Sequence, residues 1–129
     1  MQKRKTGDRA EKLALSWLES KGYQLIQSNY ARRVGEIDLI VRHPDNATIV
    51  FVEVRYRSSE QYGGALFSVN HAKQRRLVRT ANSWLQRHAS EHTHARIDVM
   101  ALRPATCDTH RSALWQNHEI DWIKNAVEE

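Results

Sequence analysis

A chain of 129 residues is long enough to bury a core and fits one domain. With 40% hydrophobic and 27% charged residues it falls among ordinary globular proteins, and no apolar run approaches the roughly 18 residues a membrane helix needs. Twenty Lys and Arg against fifteen Asp and Glu leave a net charge of +5, which permits a polyanionic partner without requiring one. Cys107 is the lone cysteine, so no internal disulfide can form and a reducing cytoplasm is the expected compartment. The basic start, Met-Gln-Lys-Arg-Lys, lacks the apolar stretch of a secretory signal.

Thr6 to Lys21 has helical spacing. Ala10, Leu13, Ala14, Trp17 and Leu18 make one apolar stripe, Thr6 can cap the start, and Gly22 is a stop. Glu11 lies beside the stripe, where the plain reading is a solvated boundary residue. Tyr23 to Tyr30 reads as a strand, and Ala31-Arg32-Arg33-Val34 as a basic connection, either a solvated turn or a phosphate contact.

Gly35 to Arg57 is the most informative stretch. Gly-Glu-Ile-Asp-Leu-Ile-Val-Arg and Thr-Ile-Val-Phe-Val-Glu-Val-Arg-Tyr-Arg flank a turn at His43 to Ala47, so a β-hairpin is expected. A turn centred between Asp45 and Asn46 sets Asp38 opposite Glu53 and Glu36 opposite Arg55, with all four on one face of the pair. Glu36 with Arg55 is an ordinary cross-strand ion pair. Asp38 with Glu53 is not, because opposed like charges destabilise a hairpin. Two carboxylates in an apolar setting need a shared proton, a basic neighbour such as the diagonal Arg55, or a cation. With oxygen ligands alone the cation would be Mg²⁺ or Mn²⁺.

Ser58 to Gly64 is expected to be a mobile loop. Asn70 to His88 is a second helix, burying Leu77, Ala81, Trp84, Leu85 and His88 and carrying Lys73, Arg76 and Thr80 on a neighbouring stripe, with Arg75 and Arg79 close by. Such a stripe is either a solvated face or a surface laid along a phosphate backbone. Arg96 to Leu102 is a further strand, Ala113 to Ile120 a last one, and Asp121 to Val127 a closing helical turn. Helix, three strands, helix and two strands make an α/β domain with a mixed central sheet of about five strands.

The wording of Gly35 to Ile40 and Phe51 to Arg57 resembles the YraN-like family of bacterial proteins, itself similar to restriction-endonuclease-like nucleases of the PD-(D/E)XK type and to Holliday-junction resolvases. Glu11, Ala14, Gly22-Tyr23, Asn29, Tyr62-Gly63-Gly64, Lys73-Gln74 and Arg96-Ile97-Asp98-Val99 extend the resemblance over most of the chain. It implies a restriction-endonuclease-like fold, with Asp38 and Glu53 as the metal-binding acids and Glu11 as a helix acid supporting the metal. It also implies hydrolysis of phosphodiester bonds in DNA, branched or damaged DNA being candidate forms and RNA the alternative. Arg55 stands where the motif has Lys. Because Arg stays charged it cannot take a proton from water, although it can steady a phosphate. The expected catalytic set is therefore Asp38, Glu53 and Arg55, with Arg32, Arg33, Arg57, Lys73 and Arg76 on the nucleic acid. A junction-cutting role would favour a two-fold dimer. The other readings are a non-catalytic nucleic-acid-binding module that keeps the nuclease fold, and a protein-interaction domain.

Overall fold

The structure, a computed structural model, describes residues 2–56, 71–88, 93–104, 114–115 and 118–127. Arg57, the Ser58 to Gly64 loop and Cys107 lie outside these residues. The elements run α1 (Gln2–Ser20), β1 (Gln24–Arg32), β2 (Gly35–Arg42), β3 (Ile49–Tyr56), α2 (His71–His88), β4 (Ala95–Pro104), β5 (Leu114–Trp115) and β6 (His118–Val127). One mixed sheet takes all six strands in the order β1-β2-β3-β4-β6-β5. Every neighbouring pair is antiparallel except β3 with β4, whose connection contains α2. Among the described residues no helix is long and apolar enough to cross a membrane.

Each helix covers one face of the sheet. Ala14 and Leu18 of α1 pack with Leu39, Val41, Val50, Val52, Met100 and Leu102. Leu77, Ala81 and Trp84 of α2 pack with Ile40, Phe51, Ile97 and Val99 on the other face. The apolar residues of β3 thus alternate between the helices, Ile49 and Phe51 toward α2, Val50 and Val52 toward α1, which is why this strand is apolar on both sides. Trp84 meets Phe51 edge to face at 5.8 Å and donates to Gln27 Oε1 at 3.1 Å.

Three expectations need correction. Asp121 to Val127 is strand, not helix, because β4 offers a long open edge that pairs Met100 with Trp122 and Val99 with Ile123. With the two-residue β5, this makes six strands where about five were expected. Thr80 is not on the solvated stripe: it is fully buried, and its hydroxyl donates to the Arg76 carbonyl at 2.7 Å. His88 is exposed rather than buried, its ring 4.7 Å from that of Trp84.

Candidate active site

The hairpin register is the expected one where β2 and β3 pair: Arg42 faces Ile49, Val41 faces Val50, Ile40 faces Phe51 and Leu39 faces Val52. The ladder then stops at the acids. Asp38 Oδ2 accepts the Val54 N–H at 2.7 Å, so a side chain satisfies this amide where a β2 carbonyl would have continued the sheet. The alternation of β2 also breaks here. Ile37 joins the α2-side core although Leu39 packs toward α1, so the uniform face expected for Glu36, Asp38 and Ile40 does not hold. On β1, Asn29 takes a left-handed φ of 54° between two paired residues, Ser28 facing Leu39 and Tyr30 facing Ile37. Asn tolerates that conformation better than most residues, and the kink it makes lies level with Asp38.

The separated ends of β2 and β3 form one wall of a cavity of about 480 Å³. Glu11 from α1, Asp38 from β2 and Glu53 from β3 line it, together with Lys73 and Arg76 from α2. Gly35 lets α2 come close to the start of β2. Its φ is +153°, and a Cβ there would lie 3.0 Å from Thr80 Oγ1 and 3.4 Å from Arg76 Cβ.

The cavity holds its excess negative charge in two ways. Burial, followed by the neighbouring Glu53 charge, pushes the Asp38 carboxyl up to about 8, so it keeps its proton at neutral pH and shares it with Glu11. Burial likewise raises Glu11, against hydrogen bonds from Asp38 and Asn29 that lower it. Glu53, only 7% exposed, is held by Lys73, whose Nζ lies 2.9 Å from Oε2. A shared proton and a basic neighbour, both foreseeable answers to the opposed acids, are therefore present together. As they stand, no three His, Cys, Asp or Glu side chains among the described residues are grouped to hold a metal ion.

The basic neighbour is not the one expected. Arg55 does not line the cavity, pairs with no described acid, and has a buried Nε without a hydrogen-bond partner. Its predicted partner Glu36 is exposed at the cavity rim. The ladder's early end explains this, since residues 36 and 55 no longer face each other across a paired sheet. Lys73 instead supplies the ammonium at Glu53 from α2. Arg32 and Arg33 line a separate cleft with Arg79. In the sequence Asn29 carries the family resemblance and no role; a left-handed Asn inside a strand is visible only in the backbone.

Asp98 belongs elsewhere. It is 0% exposed and bound by Arg96 at 3.0 and 3.2 Å, by Trp122 Nε1 at 2.9 Å and by the Asn125 amide at 2.8 Å, joining β4 to β6. All its acceptor sites have partners within the protein, which marks a structural anchor.

A mixed sheet between two helices, with Asp38 of β2 and Glu53 of β3 where the pairing of those strands ends, is consistent with the restriction-endonuclease-like class of α/β folds. Residues 10–102 match the Uncharacterised protein family UPF0102, and the chain belongs to that family. It is 43% identical over 125 residues to a UPF0102 protein of Alcanivorax borkumensis, covering 96% of this chain and 92% of that one. It is also 43% identical over 125 residues to the UPF0102 protein YraN of Escherichia coli, covering 95% of this chain and 84% of the relative. A UPF0102 protein of Methylococcus capsulatus is 42% identical over 123 residues, 95% of this chain and 90% of its own length.

Proposed function

We propose that the acid-lined cavity is the site of a divalent-metal-dependent nuclease that hydrolyses phosphodiester bonds in DNA. The observation that carries this reading is the crowding of Glu11, Asp38 and Glu53 around one cavity, where Asp38 keeps its proton to about pH 8. Carboxylates that need a proton and an ammonium to coexist are suited to a cation that replaces both. The donors are all oxygen, which suits Mg²⁺ or Mn²⁺ with water completing the shell. When bound, such an ion lowers the pKa of a water and stabilises charge on the phosphoryl oxygens.

The chain's own residues do the rest. Asp38 gives up its proton and presents one carboxylate oxygen, while its other stays fixed by the Val54 amide. Glu53 would hold the cation in place of the Lys73 ammonium that it now accepts. Lys73 and Arg76 both line the cavity, where the two can hold the phosphate being attacked. Arg55 has no part in this scheme.

Cleavage of linear, flapped and four-way DNA by the purified protein in Mn²⁺, compared with an Asp38→Asn, Glu53→Gln double variant, tests the proposal. At least a hundredfold loss in the variant is expected, on the scale of removing charge stabilisation from a transition state. Equal cleavage by the two proteins would overturn it. The Lys73–Glu53 pair favours one other reading, a nucleic-acid-binding module whose acids are neutralised from within. It predicts salt-sensitive DNA binding and no metal-dependent cutting.

A further inference from the structure

Two groups of basic residues line cavities in the fold. Lys73 and Arg76 sit among the acids. Arg32, Arg33 and Arg79 line a second cleft of about 620 Å³, between the β1–β2 turn and the C-terminal half of α2. No Asp or Glu is among its described lining residues, whereas Gly35 and Glu36, next along the same turn, already belong to the acidic cavity. Three guanidinium groups around one cleft raise its potential, and an anion is the ligand that answers it.

One of these groups is held in place from below. Arg32 Nε donates to the Tyr30 hydroxyl at 3.1 Å, and the guanidinium lies 5.4 Å from the centre of the Tyr30 ring. Tyr30 is buried, and its oxygen is also 3.1 Å from Ser83 Oγ on α2. Burial alone would raise the Tyr30 hydroxyl. The bonds from Arg32 and Ser83 and the charges of Arg32 and Arg87 outweigh it and hold the group below its ordinary value. A lowered phenol beneath the cleft reports the same positive potential by a second route. Anchoring Arg32 through Nε leaves its two terminal nitrogens without a hydrogen bond to another described residue, in the planar fork that matches two phosphate oxygens.

We infer that this cleft anchors a backbone phosphate of the nucleic acid at a fixed distance from the acidic cavity. From Arg76 to Ser83 the helix advances about 10 Å at 1.5 Å per residue. The inference rests on the nuclease reading of the acidic cavity and adds to it a grip on the strand beyond the bond that is cut. It also gives Arg79, close to the stripe that reads as a solvated face or a phosphate surface, the second of those roles.

Anisotropy of a labelled DNA duplex, titrated in EDTA at several salt concentrations, reads this grip without cleavage. Arg79→Ala is expected to weaken binding about five- to tenfold and to flatten the salt slope by about 0.9, one phosphate contact. Arg42→Ala, an exposed arginine at the far end of β2, removes the same charge and is expected to leave the slope unchanged. Equal effects of the two substitutions would overturn the inference. So would displacement of the DNA by millimolar inorganic phosphate at fixed ionic strength, which would mark a site for a free anion. The two proposals fail separately. Arg79-dependent binding without any cleavage rejects the nuclease reading, whereas cleavage with a KM unmoved by Arg79→Ala rejects the anchoring cleft.

Discussion

Replacing Asp38 with Asn removes one ionisable group from the cavity and keeps its shape. The Asn oxygen still accepts the Val54 N–H, and its amide can donate to Glu11 as the shared proton does. In the folded protein Asp38 holds its proton up to about pH 8, against an ordinary value of 3.8. A carboxyl raised in this way stabilises the fold fully below the ordinary value, and that stability drains as pH rises through the folded one. About four pH units at about 1.4 kcal/mol each set a ceiling near 6 kcal/mol. Partial solvent access to Asp38 and rearrangement of Lys73 reduce the expected gain for Asp38→Asn to about 1–3 kcal/mol at pH 8, and to less at pH 5. Urea unfolding in EDTA at both pH values measures it through the midpoint at constant slope. A variant that is no more stable than the parent at pH 8, or a difference that does not grow with pH, would refute the electrostatic account of the cavity.

Other substitutions separate the site from its scaffold. Lys73→Met leaves Glu53 buried without its ammonium and is expected to cost about 1–3 kcal/mol in EDTA, yet to tighten Mn²⁺ binding several-fold by removing a competitor for Glu53; weaker Mn²⁺ binding would contradict the exchange. Asp98→Ala strands a half-buried Arg96 and is expected to cost about 3–5 kcal/mol by urea unfolding, a loss that Mn²⁺ does not relieve. Gly35→Ala places a Cβ against Thr80 and Arg76 at positive φ; a loss of about 1–3 kcal/mol, with weaker DNA binding as α2 is pushed outward, is the expected result.

The two apolar stripes of the helices and the hairpin register were legible in the sequence because burial imposes fixed periods of 3.6 and 2. Leu39 facing Val52 and Ala14 on the buried side of α1 follow from such counting alone. The site was legible only up to the point where the period fails. Asp38 and Glu53 announced themselves as charges inside an apolar run, but that run gave no sign that the ladder ends at Leu39 or that Ile37 changes sides. Those features depend on a carboxylate bonding the Val54 amide and on a left-handed Asn29 in the adjacent strand, interactions between elements that no local pattern encodes. The exchange of Arg55 for Lys73 has the same origin. Lys73 lies twenty positions beyond Glu53 and reaches it through the packing of α2 on the sheet, which Gly35 and Thr80 set. Residues 121–127 carry no local sign of their strand, because the β4 edge that pairs with them is distant in sequence.

The central claim is that these acids form a cation site whose loading displaces a proton from Asp38. Isothermal titration with Mn²⁺ at pH 6 and pH 8, in two buffers of different ionisation enthalpy, tests it most directly. The account predicts one site that binds more tightly at pH 8, releases a proton measurably at pH 6, and is lost in Asp38→Asn. Binding that ignores pH and survives that substitution, or no binding at either pH, would contradict it.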